Sequence, residues 1–121
     1  MSIEPHELEA WAGPAWAELD GAQRERLARS ANAIAARYPD PDDQDLRDAA
    51  LSATVQHLLG ETSLEDAAHE LARTRRDEAA ARAAMRQIVI LSARDGVSES
   101  AIAARTGLSR ARTVRAWLSA S

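Results

Sequence analysis

The chain has 121 residues, no cysteine and a formal net charge of −4. This length corresponds to one domain, or to a small domain with an appended helical unit. Without thiols it has neither disulfides nor thiolate zinc sites. No apolar run approaches the roughly 20 residues that span a bilayer, and no basic-then-apolar signal segment opens the sequence, so we expect a cytoplasmic protein with no membrane partner.

Alanine is the dominant apolar residue, phenylalanine is absent, and glycine and proline number only 5 and 4. Alanine has the highest helix propensity of the amino acids, and no alternating β-branched stretch is long enough for a strand. The composition therefore predicts an all-α fold, which we expect to be a helical bundle ending in a unit of three helices.

The first segment, residues 1–19, carries two indoles on either side of a glycine-proline break. Trp11 precedes Gly13-Pro14 and Trp16 follows it, and a proline at this point starts or kinks a helix rather than continuing one. The favoured interpretation is a short amphipathic helix that packs both indoles onto the domain. A partner-binding arm is the alternative.

A capping box predicts the start of the next helix, because Asp20 precedes Gln23 by three residues. We expect this helix to end near Arg37. Its apolar residues recur at intervals of four, three and four and form a stripe that must face something apolar: Leu27, Ala31, Ile34 and Tyr38.

A proline-broken acidic segment, residues 39–45, precedes another helix. Its aspartates suit a helix N-terminus, where carboxylates complement the helix dipole. The segment does not have the glycine and glutamate that a calcium-binding loop requires. We expect the helix after it to run to about Leu59, where Gly60 ends it.

A second capping box, Thr62 with Glu65, begins a helical pattern that continues to Arg94 before Gly96 ends it. The middle of this pattern, residues 73–78, is polar on every side. Such a helix either bridges two packing units or breaks.

The spacing that follows predicts two short helices joined by a tight turn. Ser98 and Ser109 are each placed to cap a helix, and Gly107 between them can take the positive φ of a tight helix end. The residues at inward-facing positions are Ile102, Ala103 and Leu108.

This pattern, together with a Thr-Val pair followed by Trp-Leu, covers residues 98–118 and resembles a helix-turn-helix. It is similar to the motif of bacterial and phage transcription regulators and of small DNA-binding proteins related to sigma-factor region four. The resemblance implies a trihelical module whose second helix enters the major groove of double-stranded DNA. We expect the module to be wingless, because there is no room for a β wing after Leu118. The DNA-binding residues that it implies are Ser109, Arg110, Arg112, Thr113 and Arg115, with Ser98, Ser100 and Arg105 bonding flanking phosphates.

One position departs from the family pattern and leaves two registers open. The family places a bulky aliphatic residue four positions after the serine, where this chain has Thr113, and the aliphatic Val114 comes one position later. The family register buries Thr113, Ala116 and Trp117, whereas the shifted register buries Ala111, Val114 and Leu118 at helical spacing. Arg112 is exposed in both, so it is the first candidate for a DNA contact.

Charge is distributed unevenly along the chain. Residues 1–70 carry 5 Arg against 15 Asp or Glu, a net −10, and residues 71–121 carry 10 Arg against 4 acids, a net +6. The asymmetry predicts an acidic N-terminal helical unit (1–72) for oligomerisation or partner binding and a DNA-binding unit (73–121). Three arginines of the long helix either contact DNA phosphates or form local pairs on a solvated face: Arg73, Arg75 and Arg76.

The sequence therefore predicts a sequence-specific regulator that binds double-stranded DNA as a homodimer. We expect the dimer surface on the N-terminal helices, at Leu27, Ile34, Tyr38, Leu51, Val55 and Leu58. The alternative is an interaction protein whose acidic half binds a sigma factor, a polymerase subunit or a toxin, with a structural C-terminal helix pair.

An enzyme is not expected, because no signature activates a nucleophile and no Gly-rich phosphate loop is present. The three histidines, His6, His57 and His69, are not at metal-ligand spacing. We expect neither a cofactor nor a metal site.

Overall fold

The computed structural model describes residues 3–121, and within this range the chain is helical and has no strand. The all-α class predicted from composition is confirmed. The helices are α1 (Pro5–Ala12), α2 (Ala15–Glu18), α3 (Gly21–Arg37), α4 (Gln44–Leu58), α5 (Leu64–Arg94), α6 (Glu99–Thr106) and α7 (Arg115–Ser119). A 3₁₀ turn, Pro41–Asp43, precedes α4, and a π-helical turn, Arg110–Val114, runs directly into α7.

The chain forms two compact units, the first ending at Ala67 and the second running from Ala68 to Ser121. The division lies within α5, a few residues before the boundary expected at 72/73. None of the helices in the described range combines the length and the apolar character needed to cross a membrane.

The start of α3 has the capping box that the sequence predicted. The backbone N–H of Gln23 donates to Asp20 Oδ1 at 2.8 Å, and the backbone N–H of Asp20 donates to Gln23 Oε1 at 2.8 Å. The side-chain nitrogen Nε2 of the same Gln23 also donates to the backbone carbonyl of Leu58 at 2.8 Å. One side chain thus caps α3 and ties it to the end of α4.

The core of the first unit lies between α3 and α4, with contributions from Leu8 and Leu19. The stripe predicted on α3 is confirmed, because Leu27, Ala31 and Ile34 are buried and the adjoining Tyr38 packs against them. The α4 residues of this core are Leu51, Val55 and Leu58.

This core corrects the predicted dimer surface. Leu27 is fully buried, and none of Ile34, Leu51, Val55 and Leu58 exceeds 9 % exposure. Tyr38 is half-buried against the same core. The apolar stripes of α3 and α4 cover each other within one chain, so they are not available to a second copy.

The two indoles near the N-terminus behave differently from each other. Trp16 is half-buried against the core, and the guanidinium of Arg24 lies 4.7 Å from its ring centroid. Arg24 also donates to the Trp16 carbonyl from Nη2 at 2.8 Å. Trp11 is 38 % exposed and lines a groove with Ser52 and Val55 of α4, so it packs onto the domain less completely than Trp16.

Helix α5 does not break at its polar middle, and every residue of 64–84 is exposed. Its first turn is capped one residue later than predicted, since the backbone N–H of Asp66 donates to Ser63 Oγ at 3.1 Å. The predicted box with Thr62 is therefore wrong by one position. The helix begins at Leu64, in the last residues of the first unit, and ends at Arg94, within the second.

Candidate nucleic-acid interface

The second unit is organised around one aliphatic residue from each of three helical segments. Val89 of α5, Ile102 of α6 and Val114 of the π-helical turn are 2 %, 4 % and 0 % exposed. Partly buried side chains surround these three: Met85, Ala93, Val97, Ala103, Leu108, Trp117 and Leu118. The C-terminal part of α5, helix α6 and residues 110–119 thus form a three-helix unit, and we call residues 110–119 the recognition segment.

Helix α6 begins and ends as its sequence predicts. Ser98 Oγ accepts the backbone N–H of Ala101 at 3.1 Å, which caps the first turn. Gly107 has a φ of 73°, and its N–H donates to the Ala103 carbonyl at 2.9 Å. This left-handed conformation, which side chains with a Cβ disfavour, turns the chain sharply after α6.

The turn between the helices has a further fixed point that sequence reasoning missed. Thr106 Oγ1 donates to the Ile102 carbonyl at 2.8 Å and accepts the backbone N–H of Leu108 at 3.2 Å. On the far side of the turn, Ser109 Oγ accepts the backbone N–H of Arg112 at 3.2 Å, which is the predicted cap. Side-chain hydrogen bonds therefore hold both ends of the turn.

The recognition segment begins with a π-helical turn instead of an α-helical one. The backbone N–H of Val114 donates to the Ser109 carbonyl at 3.0 Å, and that of Arg115 donates to the Arg110 carbonyl, each across five residues. A π turn holds one residue more than an α turn. The extra residue accommodates the five-residue spacing from Ser109 to Val114 and brings Val114 fully into the core.

The π turn also explains why neither of the two predicted registers accounts for all of the residues that face the core. Val114 and Leu118 face the core as in the shifted register, and Thr113 and Trp117 are half-buried as in the family register. Ala111 and Ala116, which the two registers buried, are both exposed. A constant rotation of 100° per residue cannot describe a helix that changes its pitch at Val114.

The recognition segment carries three arginines. Arg110, Arg112 and Arg115 are all exposed, as the proposed DNA contacts require. Ala111 lies between the first two and adds no bulk. The exposure predicted for Arg112 in either register is confirmed, and within residues 3–121 no ion pair to it is recorded.

The other two arginines share one carboxylate that sequence reasoning did not single out. Glu99 Oε2 lies 3.4 Å from Arg115 Nη2, 3.4 Å from Arg115 Nε and 3.6 Å from Arg110 Nε. The Glu99 side chain is 33 % exposed, against 54 % for Arg110 and 57 % for Arg115. The carboxylate of Glu99, on α6, thus contacts two arginines of the recognition segment and is less exposed than either of them.

The remaining predicted site residues lie on α6 or just before it. Ser98, Ser100 and Arg105 are exposed, and Arg105 also lines a groove of about 300 Å³ between α5 and α6. The floor of this groove is apolar and includes Met85, Ile88, Val89, Val97 and Ile102.

The arginine cluster of α5 is fully exposed, and one member forms a local pair. Arg73 contacts Glu70 one turn earlier, and farther along the helix Arg82 lies 3.6 Å from Glu78. The local pairing left open for this cluster is therefore present at Arg73, with Glu70 as its partner.

The three histidines are exposed, and no group of three or more His, Asp or Glu side chains in the described part of the chain is arranged to hold a metal ion. No family model, no curated protein and no solved structure matches this chain. Its function must therefore be inferred from its own residues.

Proposed function

We propose that this protein is a transcriptional regulator that binds double-stranded DNA sequence-specifically through a helix-turn-helix formed by α6 and the recognition segment. The observation that carries the proposal is that the recognition segment leaves Arg110, Arg112 and Arg115 exposed while Val114 is buried in the core. A helix held in this way can enter the major groove with its first residues at the base edges.

Arg112 is the principal base contact in this proposal. Its guanidinium is exposed at the start of the helix, and arginine matches the O6 and N7 acceptors of guanine with two parallel hydrogen bonds. Arg110 and Arg115 are exposed on the same segment and share the Glu99 carboxylate of α6. Together they provide three planar cations for base edges and phosphates.

The flanking polar residues position the helix on the DNA backbone. Ser98 and Ser109 accept a backbone N–H through their oxygens, so each hydroxyl hydrogen is left to donate to a phosphate. Ser100, Arg105 and Thr113 complete the set of phosphate contacts. Such contacts fix orientation and register but carry no sequence information.

The distribution of charge supports this assignment of roles. Phosphate neutralisation supplies much of the affinity for DNA, and the cations are concentrated in residues 71–121, with a net charge of +6. Residues 1–70, with a net charge of −10, are repelled by phosphate. The second unit therefore provides the DNA contacts.

The active form in this proposal is a homodimer. One recognition helix contacts only a few base pairs, and readers of this type bind two half-sites about 34 Å apart. Because the apolar stripes of α3 and α4 are buried, the dimer contact must use side chains that one copy leaves exposed. On α5 these are Leu64, Leu71, Ile88 and Leu91, which are 87 %, 52 %, 59 % and 47 % exposed.

The proposal is tested by selection from a pool of random duplex DNA at two salt concentrations. We expect the wild type to enrich a short motif, with two-fold repeats about one helical turn apart if the protein binds as a dimer. Arg112→Ala should lose about 1–3 kcal/mol of binding free energy for that motif. Arg26→Ala, an exposed arginine of α3 with the same change of charge, serves as the control and should match the wild type.

Two results would contradict the proposal. One is a wild type that binds no duplex above background even at low salt, which would favour the alternative function, binding of a protein partner by the acidic half. The other is an Arg112→Ala protein that enriches the same motif with the same affinity.

A further inference from the structure

We infer that Glu99 is a specificity-determining residue of the proposed DNA site, acting through its hold on Arg110 and Arg115. The inference rests on the proposed function and concerns how the same site distinguishes base edges from phosphates. Glu99 is the first residue of α6, so its carboxylate reaches the recognition segment from the neighbouring helix.

The geometry restrains one arginine more than the other. Arg115 presents both Nε and Nη2 to Glu99 Oε2 at 3.4 Å, whereas Arg110 approaches the same oxygen with Nε alone at 3.6 Å. Guanidinium has five N–H donors in a fixed fork. Contact of one edge of Arg115 with Glu99 favours one orientation of its remaining donors before DNA arrives.

The carboxylate also changes which partner the arginines prefer. Two cations that share one anion have a smaller net charge, and a phosphate approaching them meets the repulsion of Glu99. The acceptor atoms of a guanine edge are neutral overall and meet much less repulsion. Glu99 therefore weakens binding to any phosphate backbone more than it weakens binding to the correct base sequence.

The test uses Glu99→Gln in the full chain, because glutamine keeps the shape of the side chain and removes its charge. Binding is measured by fluorescence anisotropy to two duplexes, the enriched motif and a scrambled sequence of the same composition, over a series of salt concentrations. The matched control is Glu78→Gln, which removes one negative charge from an exposed ion pair with Arg82 elsewhere in the second unit.

We expect Glu99→Gln to bind the scrambled duplex several-fold more tightly than the wild type at low salt. The slope of log K against log salt should steepen by about 0.9 for each arginine that gains a phosphate. Affinity for the motif should rise less, so the ratio of specific to non-specific affinity falls. Glu78→Gln should leave that ratio unchanged.

A purely structural role for Glu99 predicts a different pattern. If the residue only ties α6 to the recognition segment, Glu99→Gln lowers the melting temperature while the affinity ratio and the salt slope equal those of Glu78→Gln, and this result overturns the inference. Should Glu99→Gln fail to fold, Glu99→Asp keeps the charge but shortens the reach, and an unchanged ratio in that variant also overturns it.

The failure of this inference is distinguishable from failure of the proposed function. A wild type that selects a motif, with a Glu99→Gln variant of the same selectivity, removes only the role of Glu99. A wild type that binds neither duplex removes the DNA-binding function and the inference with it.

Discussion

Arg112 differs from the two arginines beside it in its electrostatic surroundings. Arg110 and Arg115 share the carboxylate of Glu99, whereas the structure records no acidic partner for Arg112 in residues 3–121. Its backbone N–H is bonded to Ser109 Oγ, so the helix start that carries it is fixed. We therefore assign the base contact to Arg112 and a supporting role, restrained by Glu99, to Arg110 and Arg115.

Replacement of Arg112 by lysine separates the charge of the side chain from its shape. Lysine keeps the positive charge but has no planar fork for bidentate bonds. We expect Arg112→Lys to bind scrambled duplex within about twofold of the wild type and to lose roughly tenfold for the enriched motif, which corresponds to one bidentate contact. Anisotropy titrations measure both, and equal affinity of the two proteins for the motif would assign Arg112 to phosphate contact only.

At the scale of the element, the π-helical turn decides which residues of the recognition segment reach the core. It has one residue more than an α turn, and Val114 is fully buried as a result. Single π turns occur frequently at functional sites. Here the turn widens the start of the helix where Arg110 and Arg112 are exposed.

Deletion of Ala111 tests this role of the π turn. The deletion restores a four-residue spacing from Ser109 to Val114, so we expect an α turn, a buried Val114 and a melting temperature close to that of the wild type. The preferred DNA motif should change, because Arg110 and Arg112 are then displayed differently. Deletion of Ala116, which turns Trp117 and Leu118 away from the core, is the control and should lower the melting temperature markedly.

A melting temperature for the Ala111 deletion as low as that of the Ala116 deletion would show that the π turn is required for packing and not only for display. Circular dichroism on both proteins gives this comparison, and selection from the random pool gives the change of motif.

The elements that sequence predicted well are those fixed by nearby residues. The capping box of Asp20 and Gln23, the caps at Ser98 and Ser109, and the left-handed Gly107 each depend on atoms within a few residues. The stripe on α3 was also predictable, because helical periodicity alone places it on one face.

The features that sequence did not predict depend on geometry between elements. Glu99 lies sixteen residues from Arg115 in sequence, and no local pattern marks such a pair. The π turn breaks the constant rotation on which both predicted registers relied. The dimer surface was wrong because periodicity shows that a stripe must be covered but not that α4 covers it.

At the scale of the whole molecule, the two units have net charges of opposite sign, and we assign them different roles. The first unit, with 5 Arg against 14 acids and a net charge of −9, gains nothing from approaching DNA, whereas the second, with 10 Arg against 5 acids and a net charge of +5, carries every proposed contact. The first unit has its own core between α3 and α4, and the second has its own around Val89, Ile102 and Val114. We therefore expect a bound duplex to change the amide chemical shifts of the second unit and to leave those of the first almost unchanged.

The most direct measurement is a titration of the ¹⁵N-labelled protein with the enriched duplex at low salt, followed by amide chemical shifts. We expect the largest shift changes at residues 98–115 and only small ones in residues 3–67. Absence of any shift change, or changes confined to the first unit, would contradict a DNA-binding recognition segment.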